Sequence, residues 1–181
     1  MQYCCHCGAS VSLRIPVGDN LPRHVCDACS TVHYSNPKIV AGCVVTNNDR
    51  ILICKRAIEP RKGYWTLPAG FMEHGESVME AAAREAREEA CVDVELEALY
   101  AVVDVVHAGQ VHMMYRGRMK SATHRPGPES LETALVSVDA IPWDALAFRS
   151  VQFTLERFVS DLRNGRFELH TTVFNEAREL K

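Results

Sequence analysis

The chain has 181 residues, 47% hydrophobic and 24% charged, an ordinary balance for a soluble globular protein. Its formal net charge of −3 argues against broad electrostatic binding to nucleic acid or to an anionic membrane. No apolar run approaches the length of a membrane span, and the length suits one medium domain with a small appendage.

The N-terminus, MQYCCHCGAS, has no basic region followed by an apolar core, so it does not read as a secretory signal, and a cytoplasmic location is expected. Two of the eight cysteines form Cys4-x-x-Cys7 and two more form Cys26-x-x-Cys29. In a chain without a signal, such pairs read as metal ligands rather than disulfides. Four thiolates fill a tetrahedral site, so the spacing predicts a structural Zn²⁺ held by Cys4, Cys7, Cys26 and Cys29 in a zinc ribbon. Cys5 beside Cys4 leaves the register slightly open, and His6, His24 and His33 read as surface or turn residues. Over residues 1–36, Arg14 and Arg23 balance Asp19 and Asp27, and Tyr3 and Tyr34 are the only aromatics. A basic, stacking nucleic-acid surface is poorly supported. A structural or dimer-supporting module fits better. Asn36-Pro37 marks the joint, giving a ribbon over 1–36 and a second domain over 37–181.

Residues 38–46 and 50–55 are rich in β-formers, with a hairpin turn at Asn47-Asn48-Asp49. Cys43 and Cys54 within them read as inert core thiols. Arg56, Arg61 and Lys62 in the next segment suit either phosphate contacts or solvated loop charges. A glycine-bearing loop over 70–76 then leads into a helix. Ser77 with Glu80 three residues on is a capping-box signature. Met79, Ala82, Ala83, Ala86 and Ala90 recur at helical spacing and predict an apolar stripe. Glu85, Glu88 and Glu89 stand beside it. Carboxylates three and four apart share a surface and repel one another. Hard oxygen ligands gathered in this way suit Mg²⁺; a solvated helix face is the plainer reading for such a charge run on its own.

Beyond the helix, residues 93–106 and 111–120 are again β in character around a turn at Gly109. His107 and His112 flank it, and suit a metal or acid–base role no better than a hairpin tip. Residues 121–132 form a loop through Pro126-Gly127-Pro128, with Glu129 and Glu132 as candidates for a further metal ligand or a base. A short strand is expected over 135–138. Val151, Leu155, Phe158 and Leu162 predict a closing amphipathic helix over 150–163, ending before Gly165. Residues 166–181 are ambiguous, although FELHTTV suits a strand.

Gly70, five residues, Glu76, seven residues, then Arg84-Glu85-Ala86-Arg87-Glu88-Glu89 resembles the Nudix box. Two positions depart from it: Ala86 stands in place of a larger aliphatic residue, and Cys91 in place of a glycine. With the cysteine ribbon, the chain resembles zinc-ribbon Nudix hydrolases. Through YSNPKIVAGCVV, CKRAIEPRKGYWTLPAG, PGPESLE and IPWDALAF it is similar to the plant-type FAD/ADP-ribose pyrophosphatases and their bacterial relatives. The short Pro- and Phe-containing motif of typical NADH pyrophosphatases is not found. The resemblance implies an α/β fold: a Nudix α/β/α sandwich with a mixed sheet behind the ribbon. It implies catalytic Mg²⁺ or Mn²⁺ on Glu85, Glu88 and Glu89, with a backbone carbonyl at Ala69 or Gly70 joining the metal. Arg84 would steady the glutamates, and Glu88 or Glu129 would serve as base. The expected substrate is a nucleoside diphosphate-linked small molecule, FAD or ADP-ribose first and NADH, NAD or another Nudix substrate class second. A homodimer is expected, with no nucleic-acid or membrane partner. A catalytically idle binding module is the third reading.

Overall fold

In the N-terminal unit, Met1–Pro37, three short strands form an antiparallel sheet: β1 (Val11–Arg14), β2 (Arg23–Cys26) and β3 (Val32–His33). Two tight turns present the cysteines. Gly8 N–H donates to the Cys4 carbonyl at 2.9 Å, and Ser30 N–H to the Cys26 carbonyl at 3.1 Å. Within this unit only Cys4, Val25 and Cys26 are buried. So small an apolar core cannot order the unit alone, which is why cross-linking by a metal matters to its folding.

The second unit begins at Lys38. The computed structural model describes residues 1–177; residues 178–181 at the end of the ambiguous C-terminal segment lie outside the described residues. The elements in order are β4 (Lys38–Asn47), β5 (Arg50–Arg56), β6 (Trp65–Thr66), β7 (Ala69–Phe71), α1 (Val78–Ala90), β8 (Val94–Val105), β9 (Gln110–Met119), β10 (Ser130–Val136), α2 (Arg149–Asn164) and β11 (His170–Phe174). The sheet runs β10-β5-β4-β9-β8-β11, with β6 on β5 and β7 on β4. It is mixed: β4 pairs β9, and β8 pairs β11, in parallel, and the remaining pairs are antiparallel.

Strand periodicity splits the core into two layers. Val44, Ile51 and Ile53 face one way and pack with Leu155 and Phe158 of α2. Cys43, Val45, Leu52 and Cys54 face the other way and pack with Ala86 and Ala90 of α1. The result is the expected α/β/α sandwich. Cys43 and Cys54 are fully packed, and burial pushes both thiols well up, as suits core thiols.

The helix differs in detail from its predicted stripe. Its buried face is Ala81, Ala82, Glu85, Ala86, Glu89 and Ala90; Met79 is 40% exposed. Two carboxylates thus lie on the covered face, and a reading of apolar residues alone misplaces it by about one position. The strand expected over 135–138 begins earlier, at Ser130, so the loop ends at Glu129 and Glu132 is a strand residue. A bulge between Ser130 and Glu132 breaks the alternation at this start. Helix α2 runs one residue further at each end than expected, and residues 170–174 are indeed a strand.

Candidate active site and metal centres

The ribbon site is closed. The sulfurs of Cys4, Cys7, Cys26 and Cys29 all lie within 4.8 Å of one another, with separations of 3.4 Å for Cys7–Cys26, 3.5 Å for Cys7–Cys29 and 3.8 Å for Cys4–Cys29. A tetrahedron with Zn–S near 2.3 Å has edges of about 3.8 Å, so the donor set fits zinc. The Thr31 hydroxyl, first among its neighbours, draws the Cys29 thiol down, while at Cys7 the pull of the Ala9 N–H is overcome by the Cys26 and Cys29 thiols, which push it up. Cys5 lies outside the cluster, its sulfur 3.7 Å from His33 Nδ1, which resolves the register in favour of Cys4. His33 is half-buried rather than on the surface, and its Nε2 lies 3.3 Å from the Cys4 sulfur. Among the described residues this is the one group of three or more His, Cys, Asp or Glu gathered so tightly. His107 and His112 are accordingly not joined in a metal cluster. His107 Nδ1 lies 3.3 Å from the Phe174 carbonyl, and burial lowers His112 to about 4.

The second centre is built on the start and one face of α1. Ser77 caps the helix reciprocally with Glu80: the Glu80 N–H donates to the Ser77 hydroxyl at 3.3 Å, and the Ser77 N–H donates to the Glu80 carboxylate at 2.7 Å. This fixes the angle at which the loop enters. The far end keeps the left-handed turn that the box glycine would supply, with Cys91 at φ 54. The Cys91 N–H still donates to the Arg87 carbonyl at 3.0 Å and the Val92 N–H to the Ala86 carbonyl at 3.4 Å, so the departure at Cys91 is absorbed as local backbone strain.

Arg84 is the hub. It donates to Glu76 at 2.8 and 3.0 Å, to Glu85 at 2.7 Å, to Glu88 at 2.9 Å and to the Phe71 carbonyl at 3.0 Å. The guanidinium holds the Glu76 carboxyl down at about 2. Glu76 is thus the counter-anchor that keeps Arg84 across the loop. The box spacing marked its position, but nothing in the sequence showed its partner. Gly70 has an equally local reason. A Cβ there would lie 2.4–2.6 Å from the Glu85 carboxylate, so the glycine leaves room for that group against β7.

Glu89 takes the Ala69 N–H at 3.1 Å. Glu85 and Glu89 are 8% and 6% exposed. Burial raises both carboxyls, Glu89 to about 8, and the charges of Glu85 and Glu129 add to the effect at Glu89 while Arg56 opposes it. A buried carboxyl that resists ionising without a nearby cation is a donor set suited to a hard divalent ion. Glu88 is exposed on the rim.

Glu129 reaches this centre through the loop of residues 121–129. Arg125 and Gly127 donate N–H bonds to the Ala90 and Glu89 carbonyls, both at 3.0 Å, and a Cβ on Gly127 would fall 1.7 Å from the Glu88 carbonyl. The loop is therefore seated on the last turn of α1. It leaves Glu129 exposed, with its charge felt at Glu85 and Glu89. Glu132 is drawn away instead, paired to Lys55 at 3.7 Å. Surface clefts of about 520 and 300 Å³ lie elsewhere, one against Trp143 and Arg163, the other against Arg116 and Phe167, and no box glutamate lines either.

A mixed-sheet sandwich in which a glycine loop and a glutamate-bearing helix meet through a shared arginine defines a Nudix-type domain. The family model described as "NUDIX domain" matches residues 36–156, and the one described as "Nudix N-terminal" matches residues 2–35. The chain belongs to the Nudix family, with a zinc ribbon at its N-terminus. A crystal structure of a NUDIX hydrolase from Nitrosomonas europaea is 44% identical, with a TM-score of 0.91, covering 96% of this chain and 100% of that one. The NAD-capped RNA hydrolase NudC of Vibrio atlanticus is 26% identical over 168 residues, 91% of this chain and 60% of that protein. The ADP-ribose pyrophosphatase of Methanocaldococcus jannaschii is 41% identical over 56 residues, 31% of this chain and 33% of that protein. The chain thus spans less than two thirds of the length of these two curated relatives. Among the described residues no helix is long and apolar enough to cross a membrane.

Proposed function

We propose that this chain is a divalent-metal-dependent pyrophosphatase that cleaves the diphosphate bridge of a nucleoside diphosphate-linked molecule, ADP-ribose or FAD first. The observation that carries the reading is the tethering of Glu85 and Glu88 by Arg84, with Glu85 seated against Gly70 and Glu89 buried beside them. Glu85, Glu88 and Glu89, with a carbonyl of the 69–70 segment, would hold Mg²⁺ or Mn²⁺. Such an ion supplies charge neutralisation and polarisation of the phosphoryl oxygens.

The protein's own part is positioning. Arg84 steadies Glu85 and Glu88 and is itself steadied by Glu76. Glu88 and Glu129 are the two exposed carboxylates at the rim, and either can take the proton of the attacking water. The water oxygen bonds to one phosphorus, the bond from that phosphorus to the bridging oxygen breaks, and the second phosphate leaves. With FAD the products are FMN and AMP.

The 41% identity to an ADP-ribose pyrophosphatase supports the first substrate, and the four stretches similar to plant-type FAD/ADP-ribose enzymes support the second. A nicotinamide-linked substrate is the second reading, favoured by the match of a NudC protein to 91% of this chain. The family resemblance also supports a homodimer, to be weighed by light scattering. Glu89→Gln tests the reading. Mg²⁺-dependent turnover should fall by about two orders of magnitude or more, with a melting temperature no lower than the parent's. Unchanged turnover would remove Glu89 from the site.

A further inference from the structure

Four thiolates on one Zn²⁺ leave excess negative charge on the sulfurs, which hydrogen-bond donors around them offset. In the ribbon the backbone supplies part of this. His6 N–H donates to the Cys4 sulfur and Cys29 N–H to the Cys26 sulfur, both at 3.4 Å. Side chains supply more, from one stretch of chain. The Thr31 hydroxyl lies 3.1 Å from the Cys29 sulfur, and His33 Nε2 lies 3.3 Å from the Cys4 sulfur. Residues 31 and 33 are two apart at the start and end of β3, so extended backbone turns both side chains the same way. The stretch is pinned to β2, which carries Cys26. His33 stands opposite His24 and Val32 opposite Val25, and Cys26 N–H donates to the Thr31 carbonyl at 2.9 Å. The place of His33 beside Cys4 is therefore built into the sheet.

The imidazole has a second neighbour, the Cys5 sulfur, 3.7 Å from Nδ1. A neutral imidazole has one N–H and one acceptor nitrogen. A metal-bound Cys4 thiolate can only accept, so the proton belongs on Nε2, and Nδ1 is left to accept from the Cys5 thiol. We propose that His33 is a positioning residue of the zinc site. Cys5 S–H donates to Nδ1 and fixes the tautomer, and Nε2–H donates to the Cys4 thiolate and slows its release from the metal. His33 ligates nothing itself, since the four sulfurs already close the tetrahedron. Partners of this kind orient a ligand and hold its charge, and their loss costs about 10–100-fold in metal affinity. The doubled cysteine at 4–5, whose second thiol the tetrahedron leaves over, gains a role. The inference concerns the ribbon alone and stands whether or not the chain cleaves a diphosphate. The competing role for His33 is packing, a half-buried ring beside Cys4.

The test is zinc release from the whole zinc-loaded chain into excess colour-forming chelator, with Co²⁺ substituted in parallel as an optical probe. His33→Phe keeps a planar ring and removes the donor. Zinc should leave about tenfold faster or more. The sulfur-to-cobalt charge-transfer band should move to longer wavelength, because a thiolate without its donor gives up charge more easily. His33→Gln carries an amide N–H on a side chain of similar reach, and should bring rate and band back toward the parent's. Cys5→Ala should speed release about threefold alone and add nothing in the His33→Phe background, since it acts through the ring. Rate and band both at the parent's values in His33→Phe would overturn the proposal. So would a Cys5→Ala effect equally large with and without His33. Should His33→Phe fail to hold zinc at all, His33→Gln decides: zinc retained supports donation, and zinc lost in both variants overturns it in favour of packing.

Discussion

In the ribbon, four sulfurs stand within 4.8 Å of one another before any metal is considered, while along α1 an arginine ties down Glu85 and Glu88 and the Ala69 N–H holds Glu89. The ribbon has three buried residues and takes its order from its cysteines. The helix is ordered by the sandwich around it: its alanines lie flat against β4 and β5, and its caps are complete. Metal in the first site would hold up the fold; in the proposed second site the fold would hold a place for metal. Soft ligands gathered closely suit a permanent structural ion, and hard, spaced, partly protonated ligands suit an exchangeable one.

The comparison is broken most severely at Cys26. Metal analysis should find about one zinc per chain, and Cys26→Ser should abolish it and unfold the ribbon, because apparent zinc binding energies of about 10 kcal/mol or more are folding energy in such units. Helix α1 and its sheet should keep their amide-exchange protection. Collapse of both units would show that the second fold depends on the first metal.

Gly70→Ala sharpens the opposite half. The three atoms nearest the added Cβ all belong to the end of the Glu85 side chain, which can swing away at little cost to stability. Turnover should fall about a hundredfold while the melting point stays within a few degrees. Turnover near the parent value would mean that the position of Glu85 is not what the glycine protects.

The pH dependence comes next in size. In metal-free protein the Glu89 carboxyl is raised to about 8 by burial, while in the unfolded chain it has its ordinary value near 4.5. The native state therefore holds a proton that the unfolded state releases. This contribution to stability is present in full below about 4.5 and is lost as pH rises toward 8. Glu89→Gln should flatten that decline, gaining about one to a few kcal/mol over the parent by pH 8 in denaturant titrations. Parallel curves for the two proteins would place Glu89 in a more solvated setting. Smallest is Cys91→Gly. The left-handed turn at φ 54 is strained for cysteine, and the glycine should stabilise the metal-free protein by about 1 kcal/mol.

Much of this was legible locally. The cysteine knuckles, the Ser77–Glu80 cap and the spacing from Gly70 through Glu89 are short-range signals, and each lies where its pattern implies. What was not legible depends on contacts between distant segments. The burial of Glu85 and Glu89 breaks the rule that apolar residues mark the covered face. Gly127 is needed because a loop settles on the Glu88 carbonyl nearly forty residues back in the chain. Arg56 closes β5, and its guanidinium lies on Phe148, a ring from far along the chain. The strand at Ser130 is obscured by a bulge between Ser130 and Glu132, which interrupts the alternation that would have announced it.

The most direct test is Mg²⁺-dependent hydrolysis of ADP-ribose, FAD, NADH, NAD and a nucleoside triphosphate, with products separated by chromatography. The account predicts cleavage within the diphosphate bridge, AMP as a product, and ADP-ribose or FAD turned over fastest. No Mg²⁺-dependent turnover of any of them, by protein with zinc bound and fold intact, would contradict it.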